Sequence, residues 1–429
     1  MKLRIANIIG LVILSACVEE IPIATDLQSS IAIEDVLIVE ATLTDELKEQ
    51  EILLSRGTSF SSDAPVIFEQ GAQVNVIDAM GNTYDFEERE SGAYRSTEPF
   101  AVQQNVDYQL LITVANGTEY RSETSRISGT SIIDDIYAER MISDNEVEGM
   151  AIFVDSSNPG GELNDYRYIY EETYKIIAPN WRAFEFEIIS EGGVVLNEDT
   201  MEFEQIFPDV TLVPRAQEEQ VCFNTVASNE IILSDGLTVR GNQIAGNQVR
   251  FINRSNPILS HRYSILVKQF LQTAEAAKFY RTLLQFSQSE SLFSEVQPGF
   301  LEGNIEEVDN SEGLVIGFFN VASVTERRLF FNYADFFPGE ELPPYFDGLN
   351  CNNPFSPPLG NPDRDGPTSP QDCGAPRPLL DYLAFEEIEF FESNTSPPPV
   401  CQGPYLVTPR PCGDCTALGT NVQPEFWIE

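Results

Sequence analysis

Histidine occurs once in this chain, at His261, and tryptophan twice, in 429 residues. With one imidazole, Ser-His-Asp and Cys-His catalysis both depend on a residue that sits beside Arg262 at the start of an expected strand. A structural or exposed histidine is the simpler account of it. Basic residues are also scarce: 25 Lys and Arg stand against 68 Asp and Glu, for a net charge of −43. That balance excludes nucleic acid and an anionic membrane surface as natural partners. It keeps the body soluble and attracts cations, or reflects a saline habitat, without naming a ligand. Long apolar runs are missing too. Beyond the N-terminus, charges interrupt every apolar stretch before the roughly 20 residues a spanning helix needs.

What is present begins at the N-terminus. Lys2 and Arg4 precede the apolar run Ala6 to Leu14, and Ser15-Ala16 stands directly before Cys17. This is the layout of a secretory signal, and Leu14-Ser15-Ala16-Cys17 resembles the lipobox at which bacterial lipoproteins are cleaved and acylated. Residues 1–16 are expected to leave as a signal peptide, Cys17 to carry the lipid, and 17–30 to form an acidic tether. Six cysteines remain: Cys222, Cys351, Cys373, Cys401, Cys412 and Cys415. In an exported chain an even number points to disulfides, with 15 connectivities open.

Between Val36 and Ser122, seven short runs of alternating apolar residues (VLIVEATL, EILLS, AQVNVID, NTYDF, GAYRS, YQLLITVA, TEYRS) alternate with turn signals. Such spacing predicts an Ig-like β-sandwich over 31–128. Asn116-Gly117 predicts a two-residue type I′ hairpin closing that domain. The polar stretch RISGT places a linker near Gly129, and residues 129–429 read as a larger β-rich domain with one or two helices. There, Tyr166, Tyr168 and Tyr170 share one strand face. A sugar platform is one use of such a row; a buried core face is the commoner one. Thr273 is placed to cap a helix whose apolar residues Ala276, Phe279, Tyr280, Leu283 and Leu284 form one stripe, expected to dock on a sheet. From Phe337 to Pro378, Pro, Gly, Asn and Asp dominate around Cys351 and Cys373, which predicts loops stapled by disulfides. The expected class is therefore mainly β.

Three motifs raise chemistry. Cys412-Gly413-Asp414-Cys415 has a CxxC spacing used in redox and zinc sites, but no βαβ pattern or second ligand pair accompanies it, and oxidation to structural bridges is expected. Asn361, Asp363, Asp365 and Asp372 fall at positions 1, 3, 5 and 12 around Gly366, a spacing resembling a calcium loop. The departures are Asn at position 1, Asp in place of the bidentate Glu at 12, prolines within the loop and no flanking helices. An ordinary Asx/Pro/Gly turn cluster needs no metal. No cofactor is required, then, with calcium the one candidate ion. Acid-base carboxylate pairs are uninformative among so many acids, and with no activated nucleophile to assign, a non-enzymatic role is expected.

A series of segments resembles one family throughout. CVEE, VLIVEATLTDE, ILLSRGTSF, GAQVNVIDAMGNTYDFEERESGAYRS and YQLLITVANGTEYRSET come first. Farther on stand VCFNT with Cys222, RYSILVKQFLQTAEAAKFY, LFSEVQPGFLEGNI with Gly303-Asn304-Ile305, GLVIGFFNVASVTERRLF and the terminal CGDCTALGTNVQPEFW. In this order they resemble, nearly end to end, the Bacteroidota lipoproteins grouped as domain of unknown function 4249. The resemblance implies a lipid-anchored outer-membrane protein, and Glu19-Glu20 after the anchor is similar to the export signal for the cell surface in such lipoproteins. It also implies an accessory or substrate-capture role beside a TonB-dependent receptor of SusC-like type, with Cys222 and the terminal cysteines as structural bridges. It supplies no catalytic residues. A structural or adhesive surface protein without a small ligand is the alternative expectation.

Overall fold

A computed structural model describes residues 36–57, 66–127, 129–130, 132–158, 165–234, 239–240, 243–288, 301, 303–310, 313–346, 348–361, 377–395 and 402–429. The chain is mainly β. Cys17, Cys373, Cys401, Asp363, Asp365 and Asp372 lie outside the described residues.

Leu37–Thr44 shows how the first body forms. Its alternate residues Leu37, Val39, Ala41 and Leu43 are buried, as a strand's period of two places them on one face. Val74 and Val76, and Tyr108, Leu110 and Ile112, repeat the pattern on their own strands and enter the same core. One ten-stranded sheet contains all of these strands. Its edge strands come from far along the chain: Ile305–Glu307 pairs with Glu119–Ser122, and Val315–Ala322 lies parallel to Leu37–Thr44. The predicted segment 31–128 is thus joined in its sheet by residues 305–307 and 315–322. Those two edge strands also meet each other, because Asn304 hydrogen-bonds the backbone of Phe319. The sheet is curled upon its core.

The hairpin predicted at Asn116-Gly117 is present, but it is not a type I′ turn. Gly117 has φ 90° and Asn116 is not among the positive-φ residues. Gly117 N donates to Val114 O at 2.8 Å, and Val114 N to Thr118 O at 3.0 Å, so a longer turn ends in one left-handed glycine. Asn116 Oδ1 accepts from Thr118 N at 2.9 Å, closing the turn on its own backbone. Nor does this hairpin close the body, since Ile305–Glu307 extends the sheet beyond it.

The second body is a sandwich. Val239–Arg240, Gln243–Asn253, Glu148–Ser157 and Ile132–Ile142 make one sheet; Val221–Ala227, Asp165–Ile177, Arg262–Gln272 and Val324–Asn332 run in order through the other. Side chains of both enter one core, among them Ile152 and Val154 from the first and Tyr168, Tyr263 and Val267 from the second. Tyr166, Tyr168 and Tyr170 are buried in it, so the tyrosine row is a packing face. Charge is also buried there: Arg250 holds Glu172 through two hydrogen bonds of 3.1 and 3.2 Å, and Tyr263 donates to the same carboxylate at 2.7 Å. Pairing is what makes that burial tolerable.

The two bodies share a continuous run of chain. Val315–Ala322 belongs to the first sheet and Val324–Asn332 to the second, with Ser323 between. Asp45 holds the crossing, accepting from Ser323 Oγ at 2.7 Å and Val324 N at 2.9 Å. The helix Ala274–Gln288 starts where expected, with Thr273 Oγ1 accepting from Ala276 N at 3.2 Å. Its apolar stripe meets the first sheet at Phe318, 5.4 Å from Phe279 between ring centroids, and Tyr280 lies under Arg167 of the second body.

Candidate functional site

Three neighbouring strands of the second sandwich end together. Tyr174 pairs with Tyr263, and Arg262 with Asn332, so Lys175, Arg262 and Asn332 occupy adjoining strand ends. They line a pocket of about 300 Å³ that also holds His261, Ser260 and Glu429. In so acidic a chain this is an unusual concentration of positive charge. Lys175 Nζ donates to both oxygens of Glu429, at 2.9 and 3.1 Å, and pulls that carboxyl below the ordinary range, with help from Trp427 and Arg262. Arg262 donates to Ile428 O and to Asn332 Oδ1, and its guanidinium lies over the Phe330 ring. Glu429 is brought there by a C-terminal segment that pairs Thr420 with Phe223 and sets Trp427 against Phe223 and Phe330.

His261 is pushed below its ordinary pKa, first by burial and then by the charge of Lys175. The imidazole is therefore neutral at pH 7, able to donate through one nitrogen and accept through the other. Among the described residues, no Asp or Glu hydrogen-bonds it, so the orienting carboxylate of a Ser-His-Asp relay is not assembled here. What the pocket offers is recognition: two cations around one carboxylate, with a neutral imidazole and the Ser260 hydroxyl beside them. A carboxylate or comparable anionic group of a small ligand could take the place of Glu429.

A second pocket of about 370 Å³ shares Tyr333 and Leu342 with the first. Beside it Arg140, Glu148, Arg254 and Glu340 close a ring of alternating charge. Arg140 meets Glu148 at 2.6 Å and Glu340 at 2.7 Å, and Arg254 meets them at 2.9 and 2.5 Å. Both guanidiniums also face the ring of Phe337, at 4.4 and 5.3 Å. The ring fixes the loop after Val324–Asn332 as a wall between the pockets.

The cysteines do not form a redox pair. Cys415 is bonded to Cys222 and Cys412 to Cys351, so the two cysteines of the CxxC spacing fasten different segments. Both sulfurs are consumed in bridges, and zinc has no thiolate there to bind. Asn361 donates from Nδ2 to Pro208 O at 3.1 Å. The other three residues of the calcium-like spacing lie outside the described residues, and no group of three His, Cys, Asp or Glu placed to hold a metal occurs among the described ones. Sequence reasoning singled out His261 but missed Lys175 and Glu429. The only local signal was the basic pair His261-Arg262 in an acidic chain.

A model of the family described as "Domain of unknown function (DUF4249)" matches residues 20–328. The matched span includes Lys175, His261, Arg262 and Asn304. It ends before the pocket wall and before Cys351, Cys412 and Cys415, so the terminal CGDCTALGTNVQPEFW falls outside it. No curated protein matches the chain.

Proposed function

The chain belongs to the DUF4249 family, and from that premise we propose that it is a surface-exposed, lipid-anchored outer-membrane protein. In this reading it serves a TonB-dependent transporter as a non-enzymatic accessory or substrate-capture subunit. The observation that carries the reading is the N-terminus. Leu14-Ser15-Ala16-Cys17 has the lipobox pattern, and Glu19-Glu20 follows at the point where the family match begins. A lipid on Cys17 followed by an acidic tether would leave the body free to pivot beside an integral partner. The cationic pocket around Lys175 and Arg262 suits capture of a small anionic substrate ahead of transport. Calcium on Asn361, Asp363, Asp365 and Asp372 is an optional part of this proposal, and calorimetric titration tests it.

The deciding experiment is affinity purification of the lipoprotein from detergent-solubilised outer membranes. Recovery of a TonB-dependent transporter in defined stoichiometry supports the reading, and recovery of none sinks it. A structural or adhesive surface role is the second reading, favoured by two disulfides, of which Cys222–Cys415 fastens the C-terminal segment to the sandwich and Cys351–Cys412 fastens it to the preceding loop. Deleting the gene would then weaken attachment and leave nutrient uptake intact.

A further inference from the structure

Ten of the twenty-six large apolar side chains exposed among the described residues fall between Phe184 and Phe207. This stretch is an arm of two stacked hairpins. Phe184–Ser190 pairs with Asp209–Pro214 at its base, and Gly193–Asn197 with Glu202–Ile206 at its tip. The base is held firmly: Val210 is fully buried, and Phe186 packs edge-on against Phe390 and Tyr405. Among the described residues nothing covers the tip, whose two strands are exposed along nearly their whole length. Leu196 stands opposite Phe203, with Val194 two residues along on the same face, and the three are 45 %, 77 % and 66 % exposed.

The tip is nonetheless built. Asn197 Oδ1 accepts from Asp199 N at 3.0 Å, and Met201 N donates to Asn197 O at 2.8 Å. Met201 is held at φ 56° with its side chain 72 % exposed. A left-handed backbone at a long apolar residue carries strain, which the turn's own hydrogen bonds hold in place. The tip hairpin is also a two-stranded sheet of its own, so both its edges are open. Natural proteins blunt such edges with charged residues or Pro; Gly193–Asn197 has neither, and Glu202–Ile206 carries only Glu202 and Glu204.

Charge says what covers the arm. Residues 183–214 contain eight acidic residues and no Lys or Arg. An anionic lipid surface repels it, and a second arm from another copy repels it equally. We infer that the arm docks a partner protein whose apolar surface is bordered by Lys and Arg, with Phe203, Leu196 and Val194 as the buried centre of the contact. This inference stands apart from the transporter reading, because it specifies the chemistry of the partner surface and not the partner's activity.

The test places a photoreactive benzoylphenylalanine at Phe203 in the full-length lipoprotein in its own membrane. The exposed Met80, on the first body, serves as the control position. The expected result is one discrete protein adduct, whose cross-linked peptide carries apolar residues flanked by Lys or Arg. Its yield should fall roughly tenfold with Leu196→Asp in the same chain, as for the centre of an interface. It should also fall in high salt. Circular dichroism and intact disulfides establish that the Leu196→Asp chain is folded. Adducts to a second copy, adducts to lipid, no adduct, or the same adduct from the Met80 position would each overturn the inference. A partner other than a transporter would leave it standing while removing the accessory reading. A transporter that co-purifies undiminished with Leu196→Asp would do the reverse.

Discussion

The carboxamide of Asn304 lies along the backbone of Phe319 as a neighbouring strand would, donating from Nδ2 to its carbonyl at 2.8 Å and accepting its N–H at 2.7 Å. Through its own carbonyl Asn304 also accepts from Glu123 N at 2.7 Å. One residue thus ties the chain just after the strand Glu119–Ser122 to the edge strand Val315–Ala322, across the gap between the two ends of the same curled sheet.

Asn304→Leu should therefore destabilise the fold by about 2 kcal/mol, the cost of leaving the two backbone groups of Phe319 without partners. Asn304→Asp keeps the acceptor, loses the donor and should also lower stability. Gly303→Ala should be worse than either. A Cβ there would lie 1.8 Å from Gly317 O, a backbone atom that cannot swing aside. Urea unfolding midpoints order the three variants; a Gly303→Ala midpoint at or above that of Asn304→Leu would contradict the close approach.

Peptide mapping without reduction should recover Cys222 linked to Cys415 and Cys351 linked to Cys412, and no bridge within the CxxC spacing. Cys222→Ala with Cys415→Ala should lower stability by about 2–5 kcal/mol, since that bridge closes a long segment of chain. A 412–415 disulfide in the mapping would refute the pairing.

The single histidine makes the pocket readable by NMR. Because the folded pKa of His261 lies below the unfolded value, the unfolded chain binds more protons in between. This contribution to stability is complete above about pH 6.5 and is lost as pH falls toward the folded pKa. His261→Gln should flatten that part of the stability profile. Lys175→Met should raise the imidazole pKa, because it removes the nearby positive charge. An unchanged C2-proton titration in Lys175→Met would show that the two groups do not interact.

Asp78 provides an acid-side counterpart. Burial favours its neutral form, but hydrogen bonds from Asn82, Met80 and Tyr84 outweigh burial and hold the carboxyl below its ordinary pKa. Its stabilising effect is present above the unfolded value, about pH 4, and disappears as pH falls through the folded one. Asp78→Ala should be less stable than the parent at pH 7, with the gap narrowing toward pH 2. A gap that is constant with pH would show that the carboxylate's charge plays no part.

Arg250→Met would leave the Glu172 carboxylate buried without its cation, at a cost of about 3–5 kcal/mol. The double variant Arg250→Met with Glu172→Leu should recover part of the loss. Thermal unfolding of the set checks this, and a double variant no more stable than Arg250→Met alone would count against it.

Much of this protein was legible in local patterns. A period of two along Leu37–Thr44 and along the tyrosine row of Asp165–Ile177 says which face is buried. Thr273 and its apolar stripe predict the helix, and the even cysteine count predicts bridges. These signals are readable because each depends on residues a few positions apart. The pocket was legible only in part: His261 and Arg262 are neighbours in sequence, whereas Lys175 and Glu429 reach them through strand pairing and the docking of Trp427.

Sequence alone therefore determined the β class, the buried faces, the acidity and the anchor-like N-terminus. Tertiary structure alone decided that Val315–Ala322 lies beside Leu37–Thr44, that Cys412 and Cys415 part company, and that the tip of the arm is left exposed. Alternation reports which way a side chain points and is silent on which strand lies next to it. That choice is made by packing among residues hundreds of positions apart, whose complementarity exists only once the chain has folded.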